Sequence, residues 1–274
     1  MKLILSLAST ATPVGLRSAV VHPLRELRKF LFSPAGDYLY VANGSNELNQ
    51  VLSFTPSRLR PDRWQYEGIY ASRGLSHPFD IIFGFQKAVF VASQDNGCVT
   101  KYDSKGAAPK SFASGFAAVR GLAFDGTCLY IADSGKDVVV PFDASGKAAR
   151  SISVSQPAHM LVEPLHGWLF ISSEKKNSVV AWNPATPETP PLEVIANTSP
   201  KIDHTSGIAL QPGLTRDGAT LYVASRVGRE VLSFTLDFSK GKPEWMPRTT
   251  KVALSKAQLG DEPEFVGIQG GLYG

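Results

Sequence analysis

Leu39-Tyr40-Val41-Ala42-Asn43, followed by Val51-Leu52-Ser53-Phe54, decides the fold, because this pair of β-rich runs returns along the whole chain. The first run comes back as VFVAS ending at Ser93, LYIAD at Asp133, LFISS at Ser173 and LYVAS at Ser225. The second comes back as Val99–Tyr102, Val139–Phe142, Val179–Trp182 and Val231–Phe234, with a weaker copy at Ile4–Leu7. A sixth copy of the first run begins at Leu272 and Tyr273 and stops with the sequence. The aromatics of the first run, Tyr40, Phe90, Tyr130, Phe170, Tyr222 and Tyr273, lie 50, 40, 40, 52 and 51 residues apart, and the count from Tyr273 round to Tyr40 is 41. A linear array has no reason to make its two ends complete one period, whereas a closed ring does.

A fixed period of this length points to a repeat architecture. Each unit reads as four short strands: a short apolar one (Phe30–Phe32, Ile81–Phe83, Leu122–Phe124, Leu161–Val162, Ile208–Leu210, Val266–Ile268), then the two runs above, then an outer strand. Turns such as Ala35-Gly36-Asp37, Asp125-Gly126 and Asp217-Gly218 reverse the chain between strands. Helical periodicity is absent. The expected fold is all-β: a single six-bladed β-propeller over residues 1–274, with four-stranded antiparallel blades. Its last blade is shared between about 264–274 and 1–21, closed by N-terminal strands (Leu3–Leu7, Leu16–Val21) pairing with C-terminal ones, which removes two open sheet edges.

The run Ser33-Pro34-Ala35-Gly36-Asp37 before LYVAN, and Ser206-Gly207-Ile208-Ala209-Leu210 before Asp217-Gly218 and Leu221-Tyr222-Val223-Ala224, resemble NHL, YVTN and SMP-30/gluconolactonase propeller repeats. The resemblance covers nearly the whole chain and implies the fold. Those families include lactonases, lyases, strictosidine-synthase-like enzymes, cyclases and interaction modules, so it leaves activity open. The Gly-His and Trp-Asp pairing of WD40 repeats is missing. SMP-30-like lactonases bind a divalent metal through an Asn where this chain has Ser206. Of the metal-binding histidines that the peptidyl-hydroxyglycine lyase propellers place two residues before the innermost run, only His159 matches. No cofactor is therefore expected, with a divalent metal as the alternative.

In a propeller the innermost strands surround an axial channel, and the loops entering them converge on one face. Two residues before each innermost run stand Arg28, Phe79, Arg120, His159, Ser206 and Glu264. Repeats built for packing alone would repeat themselves; two cations, a carboxylate, an imidazole, a hydroxyl and an aromatic around one axis suggest a binding site. Two guanidinium groups can hold a carboxylate or enolate, and His159 with Glu264 could divide acid and base roles, with Arg120 beside them. Arg28, Phe79, Ser206, His204, Asp203 and His77 are the expected substrate-binding residues. Asn43, Gln94, Asp133, Glu174 and Arg226, in the loops between second and third strands, form a second tier of candidates, whereas His22 and His166 are read as surface residues.

The expected function is a small-molecule enzyme of lyase, cyclase, isomerase or lactone hydrolase type, using non-covalent acid/base chemistry on a polar or anionic substrate; the alternative is a non-catalytic NHL-like interaction module. No G-x-S-x-G elbow supports a serine mechanism. Among 274 residues Lys and Arg number 28 against 24 Asp and Glu, with no basic run longer than two, so neither nucleic acid nor a membrane surface is an expected partner. The two cysteines lack metal or redox spacing. The apolar patch Leu3–Leu7 is shorter than the roughly 7–15 residues of a secretory h-region, so a cytoplasmic protein is expected, with secretion as the alternative; a monomer is expected.

Overall fold

The computed structural model describes residues 4–8, 26–44, 48–58, 64–103, 106–107, 109–196, 202–259 and 262–268. Five antiparallel sheets follow one another, each with its strands in chain order. Their innermost strands are Leu27–Phe32, Pro78–Phe83, Val119–Phe124, Pro157–Val162 and Thr205–Pro212. The fifth blade carries one more short strand, Lys251–Leu254, beside Glu230–Asp237. This is a β-propeller with four-stranded blades. Innermost strands of consecutive blades touch, so the sheets stand face to face around an axis.

That stacking explains the runs that organise the sequence. A second strand such as Val89–Ser93 or Leu129–Asp133 is buried at every position, because neighbouring blades cover both of its faces. The core is accordingly a set of layers between blades: Leu31, Ala42 and Val51 pack on Ile81 and Val91, and Phe90 and Val99 on Leu122 and Ile131.

Six blades were expected, and five are complete among the described residues. A further two-stranded sheet pairs Ile4–Ala8 with Pro263–Ile268, from Ile4 opposite Ile268 to Ala8 opposite Pro263. Pro263–Ile268 touches the innermost strands of both the fifth and the first blade. Ile4–Ala8 was expected one place further out, with the strand beginning at Leu272 between the two, yet it pairs with Pro263–Ile268 directly. Leu16–Val21 and Leu272 onward lie outside the described residues. No described helix is long and apolar enough to cross a membrane.

Every complete blade carries one extra residue near the start of its innermost strand. Register shifts fall between Leu27 and Lys29, Pro78 and Asp80, Val119 and Leu122, Pro157 and Met160, and Thr205 and Ile208. Such bulges bend the strand and re-aim its side chains. Matching the strands beyond the bulge aligns Arg28, Phe79, Arg120, Ala158 and Ser206 in one tier, and Lys29, Asp80, Gly121, His159 and Gly207 in the next tier down the channel. His159 was expected in the upper tier. Its innermost run starts at Met160, opposite Ile171, and not at Leu161, so Ala158 takes the upper place.

The side chains of the lower tier are buried. Lys29 Nζ lies 3.0 Å from Asp80 Oδ1, with side chains 4% and 0% exposed. Asp80 also accepts the Ile81 amide at 2.7 Å and, from the third blade, the Leu122 amide at 2.8 Å, so one carboxylate ties three blades. Burial pushes its acid form up in pKa, while Lys29 and the two amides pull it back. Gly121 has no room for a side chain: a Cβ there would meet the Ala158 carbonyl oxygen at 2.3 Å. That gap admits His159, which is 1% exposed, donates its amide to Ser172 Oγ at 2.8 Å and lies against the Phe79 ring at 5.2 Å. Burial first, then the charges of Lys29, Arg120 and Arg28, push its pKa down to about 3, with Glu174 opposing them.

Two outcomes follow from this tier. Asp80→Ala leaves a buried ammonium and two amides without their carboxylate and is expected to cost about 3–5 kcal/mol in denaturant unfolding; a loss below about 1 kcal/mol would contradict the three-blade tie. An unfolded imidazole titrates near 6.5, above the folded value, so the unfolded chain takes the proton first. The stability His159 contributes is thus complete above about pH 6.5 and drains away as pH falls toward 3. Unfolding free energies from pH 8 to 4 are expected to fall with acid, and less steeply in His159→Gln; equal slopes would contradict the burial of a neutral ring.

Candidate functional site

The loops entering the innermost strands meet the turns between second and third strands, and side chains latch the two together. Asn49, Asp137 and Asn177 stand in these turns with φ of 41, 57 and 51°. Their side-chain oxygens accept the amides of His77 at 2.5 Å, Gln156 at 2.7 Å and His204 at 2.8 Å, each the residue before the next blade's innermost strand. His77 and His204 themselves hold left-handed φ of 54 and 58°, a region where His, Asn and Asp are enriched over other side chains. Each histidine is thus aimed by its neighbouring blade.

Several expected candidates prove to serve these joints. Asp133 accepts the Ala117 and Ala118 amides at 3.0 Å each, and Ser225 Oγ brackets the Asp203 backbone, accepting its amide at 2.9 Å and donating to its carbonyl at 3.2 Å. Asp203 shapes a turn. Ser206 is buried within its bulge, and Asn43 is fully buried.

Three of the upper-tier residues lie together. Phe79, 3% exposed, has the Arg28 guanidinium carbon 5.7 Å and that of Arg120 5.4 Å from its ring centre, with His159 beneath. Cations over an aromatic face are held by its quadrupole. On one side Arg28 Nη2 lies 3.0 Å from His77 Nε2 and 3.3 Å from Glu26, and His77 Nδ1 lies 3.4 Å from Asp95, so both ring nitrogens of His77 are engaged.

On the other side, three blades meet at Glu174. Arg120 of the third blade pairs closely with its Oε2, and His204 Nε2 at the entry to the fifth lies 3.5 Å from its Oε1. Burial would raise the Glu174 carboxyl, but His204 and the Arg120 guanidinium outweigh it and hold it down at about 2. Glu174 is therefore an anion at neutral pH. With its side chain 8% exposed and that of His204 33% exposed, the carboxylate is inside and the imidazole reaches solvent. Such a carboxylate can orient the ring. Further round, Arg226 Nε lies 3.3 Å from Glu262. Glu264 follows on Pro263–Ile268, and its side chain lies outside the described residues. Among the described residues no group of three His, Cys, Asp or Glu side chains is placed to hold a metal ion.

His204 was expected among the substrate-binding residues and Glu174 in the second tier, but that the two meet was not foreseen. The signal was present: the Asn of Asn49 and Asn177 recurs just before the third strand of two blades, and a His stands at the next blade's entry in both. The described cavity was also missed, because it opens at the opposite end of the channel and not among the upper-tier residues. His166, expected at the surface, lines that cavity, stacked on Phe238 at 4.6 Å.

No family model matches the chain, and no curated protein matches it. Solved structures do. The chain is similar to one in a nidogen/laminin complex, with a TM-score of 0.69, 12% identity and 98% of each chain covered. It is similar to a provisional 6-phosphogluconolactonase from Bacteroides fragilis, with a TM-score of 0.67, 14% identity and 97% of each chain covered. A virginiamycin B lyase from Staphylococcus aureus matches with a TM-score of 0.59 and 12% identity, over 85% of this chain and 73% of that one. At such identities the likeness establishes the β-propeller fold and leaves the chemistry to the residues.

Proposed function

We propose that the chain is a small-molecule enzyme that transfers protons, without a covalent intermediate, at the channel mouth where Arg28, Phe79, Arg120, Glu174 and His204 gather. The carrying observation is the Glu174 carboxylate, held ionised between the Arg120 guanidinium and an imidazole that reaches solvent. In this reading His204 moves the proton and Glu174 positions its ring. Arg120 and Arg28 hold a carboxylate or the enolate that forms beside them, in the way guanidinium groups meet planar anions. Phe79 supports both guanidinium groups from below. His159, expected as the acid or base, becomes a neutral buried group under the site, because its ring is 1% exposed. Glu264 stays as the proposed second carboxyl, with Ser206, Asp203 and His77 completing the wall.

Lyase, cyclase, isomerase and lactone hydrolase reactions on a small polar or anionic substrate all fit this machinery. The same reading takes the sheet of Ile4–Ala8 and Pro263–Ile268 as part of a sixth blade, an assignment supported by contacts of its inner strand with the fifth and first blades. A mass-spectrometric screen of small lactones, hydroxy acids and cyclic esters tests the function. His204→Gln is expected to lower turnover of any hit by about 10²–10⁴-fold while the protein still unfolds in one cooperative transition. Turnover that survives His204→Gln would overturn the role given to His204, and a screen without hits would favour the interaction module instead.

A further inference from the structure

At the end of the channel away from Arg28 and Arg120 lies a cavity of about 820 Å³, within the roughly 300–1,000 Å³ of sites for small organic ligands. Its wall repeats one residue in three consecutive blades: Phe32, Phe83 and Phe124, all near the ends of innermost strands. Its charges are of one sign at the outer rim. Asp125 and Glu163 begin the turns that leave the innermost strands of the third and fourth blades, and both line the cavity. Asp125 accepts the Thr127 and Cys128 amides at 2.7 Å each and the Tyr130 hydroxyl at 2.6 Å. Glu163 accepts the Leu165 and His166 amides at 2.9 and 2.7 Å.

These donors fix both carboxyl groups as acceptors. Burial works against the Asp125 anion, but its donors prevail and keep its carboxyl below the usual range. Two other charge-bearing groups line the space. Lys29, at the inner end, is neutralised by Asp80 at 3.0 Å, and His166 sits 3.1 Å from Glu163 and 3.7 Å from Asp217, among carboxylates on both sides. The chamber therefore has aromatic walls and an acidic rim, the opposite polarity to the guanidinium-rich mouth.

We propose that this chamber is a second binding site, distinct from the mouth, for a small organic cation: an amine carried on an aromatic or aliphatic ring. The ring takes the place of water against Phe32, Phe83 and Phe124, and the ammonium lies toward Asp125 and Glu163 at the rim. Aromatic faces and carboxylates both attract a cation, and neither welcomes an anion.

Fluorescence titration of the full chain with 2-naphthylmethylamine, a cation at neutral pH, against the isosteric neutral 2-naphthylmethanol tests the site. The amine is expected to bind once per chain and about five- to tenfold more tightly than the alcohol. Asp125→Asn is expected to weaken the amine about three- to fivefold, as loss of one partly exposed charge pair does. Ile82→Trp, which fills the cavity, is expected to abolish binding, and Arg120→Ala, at the other end, to leave it unchanged. Equal affinity for amine and alcohol, no amine binding, or amine binding that persists in Ile82→Trp or is lost in Arg120→Ala would overturn the proposal. The amine and alcohol comparison uses the unaltered protein, so it decides the matter even where a variant fails to fold.

Discussion

One extra residue at the start of each innermost strand governs what this propeller can present along its axis. Without the bulge, a strand alternates its side chains strictly between the two flanking blades. With it, two successive residues are re-aimed, and the channel acquires tiers: Arg28, Phe79 and Arg120 at the mouth, Lys29, Asp80 and His159 below. The bulge recurs in all five complete blades, so it belongs to the fold, while the residues within it differ from blade to blade. The scaffold is repetitive and the side chains it offers are not.

The lower tier shows what that arrangement demands. A buried ion pair is weak evidence for net stability, since desolvating both charges offsets their attraction. Asp80 and Lys29 lie among the apolar layers between blades, and Asp80 reaches a lysine on one side and an amide on the other. Its value lies in fixing the rotation of three blades relative to one another. The mouth residues depend on that, because Arg28, Phe79 and Arg120 come from those same three blades and the two guanidinium groups must meet over one ring.

The period was legible in the sequence because strands sandwiched between blades read as unbroken apolar runs, as LYVAN and VFVAS do. Register was not legible. Met160 and Leu161 are both apolar and do not mark where the fourth innermost run begins, so His159 was expected one tier too high; the N-terminal strand, expected as Leu3–Leu7, was placed one strand too far out because its partner is set by ring closure and not by its own composition. The members of the site were visible individually: Arg28, Phe79 and Arg120 by their position, Glu174 and His204 as loop candidates. Their assembly was hidden, because it relies on Asn177 of the fourth blade capturing the His204 amide of the fifth, a contact between residues 27 apart. The recurrence of Phe32, Phe83 and Phe124 was there to be read, but it resembled packing until the space between them was seen.

We propose that small anions are received at the Arg120–Glu174–His204 end of the channel. Side-chain NMR of the histidines during titration with a panel of small carboxylates tests it directly, because His204 stands at that end and His166 at the other. Saturable shifts of His204 with His166 unmoved are the expected result. Shifts centred on His166, or no saturable shift of His204 with any member of the panel, would contradict it.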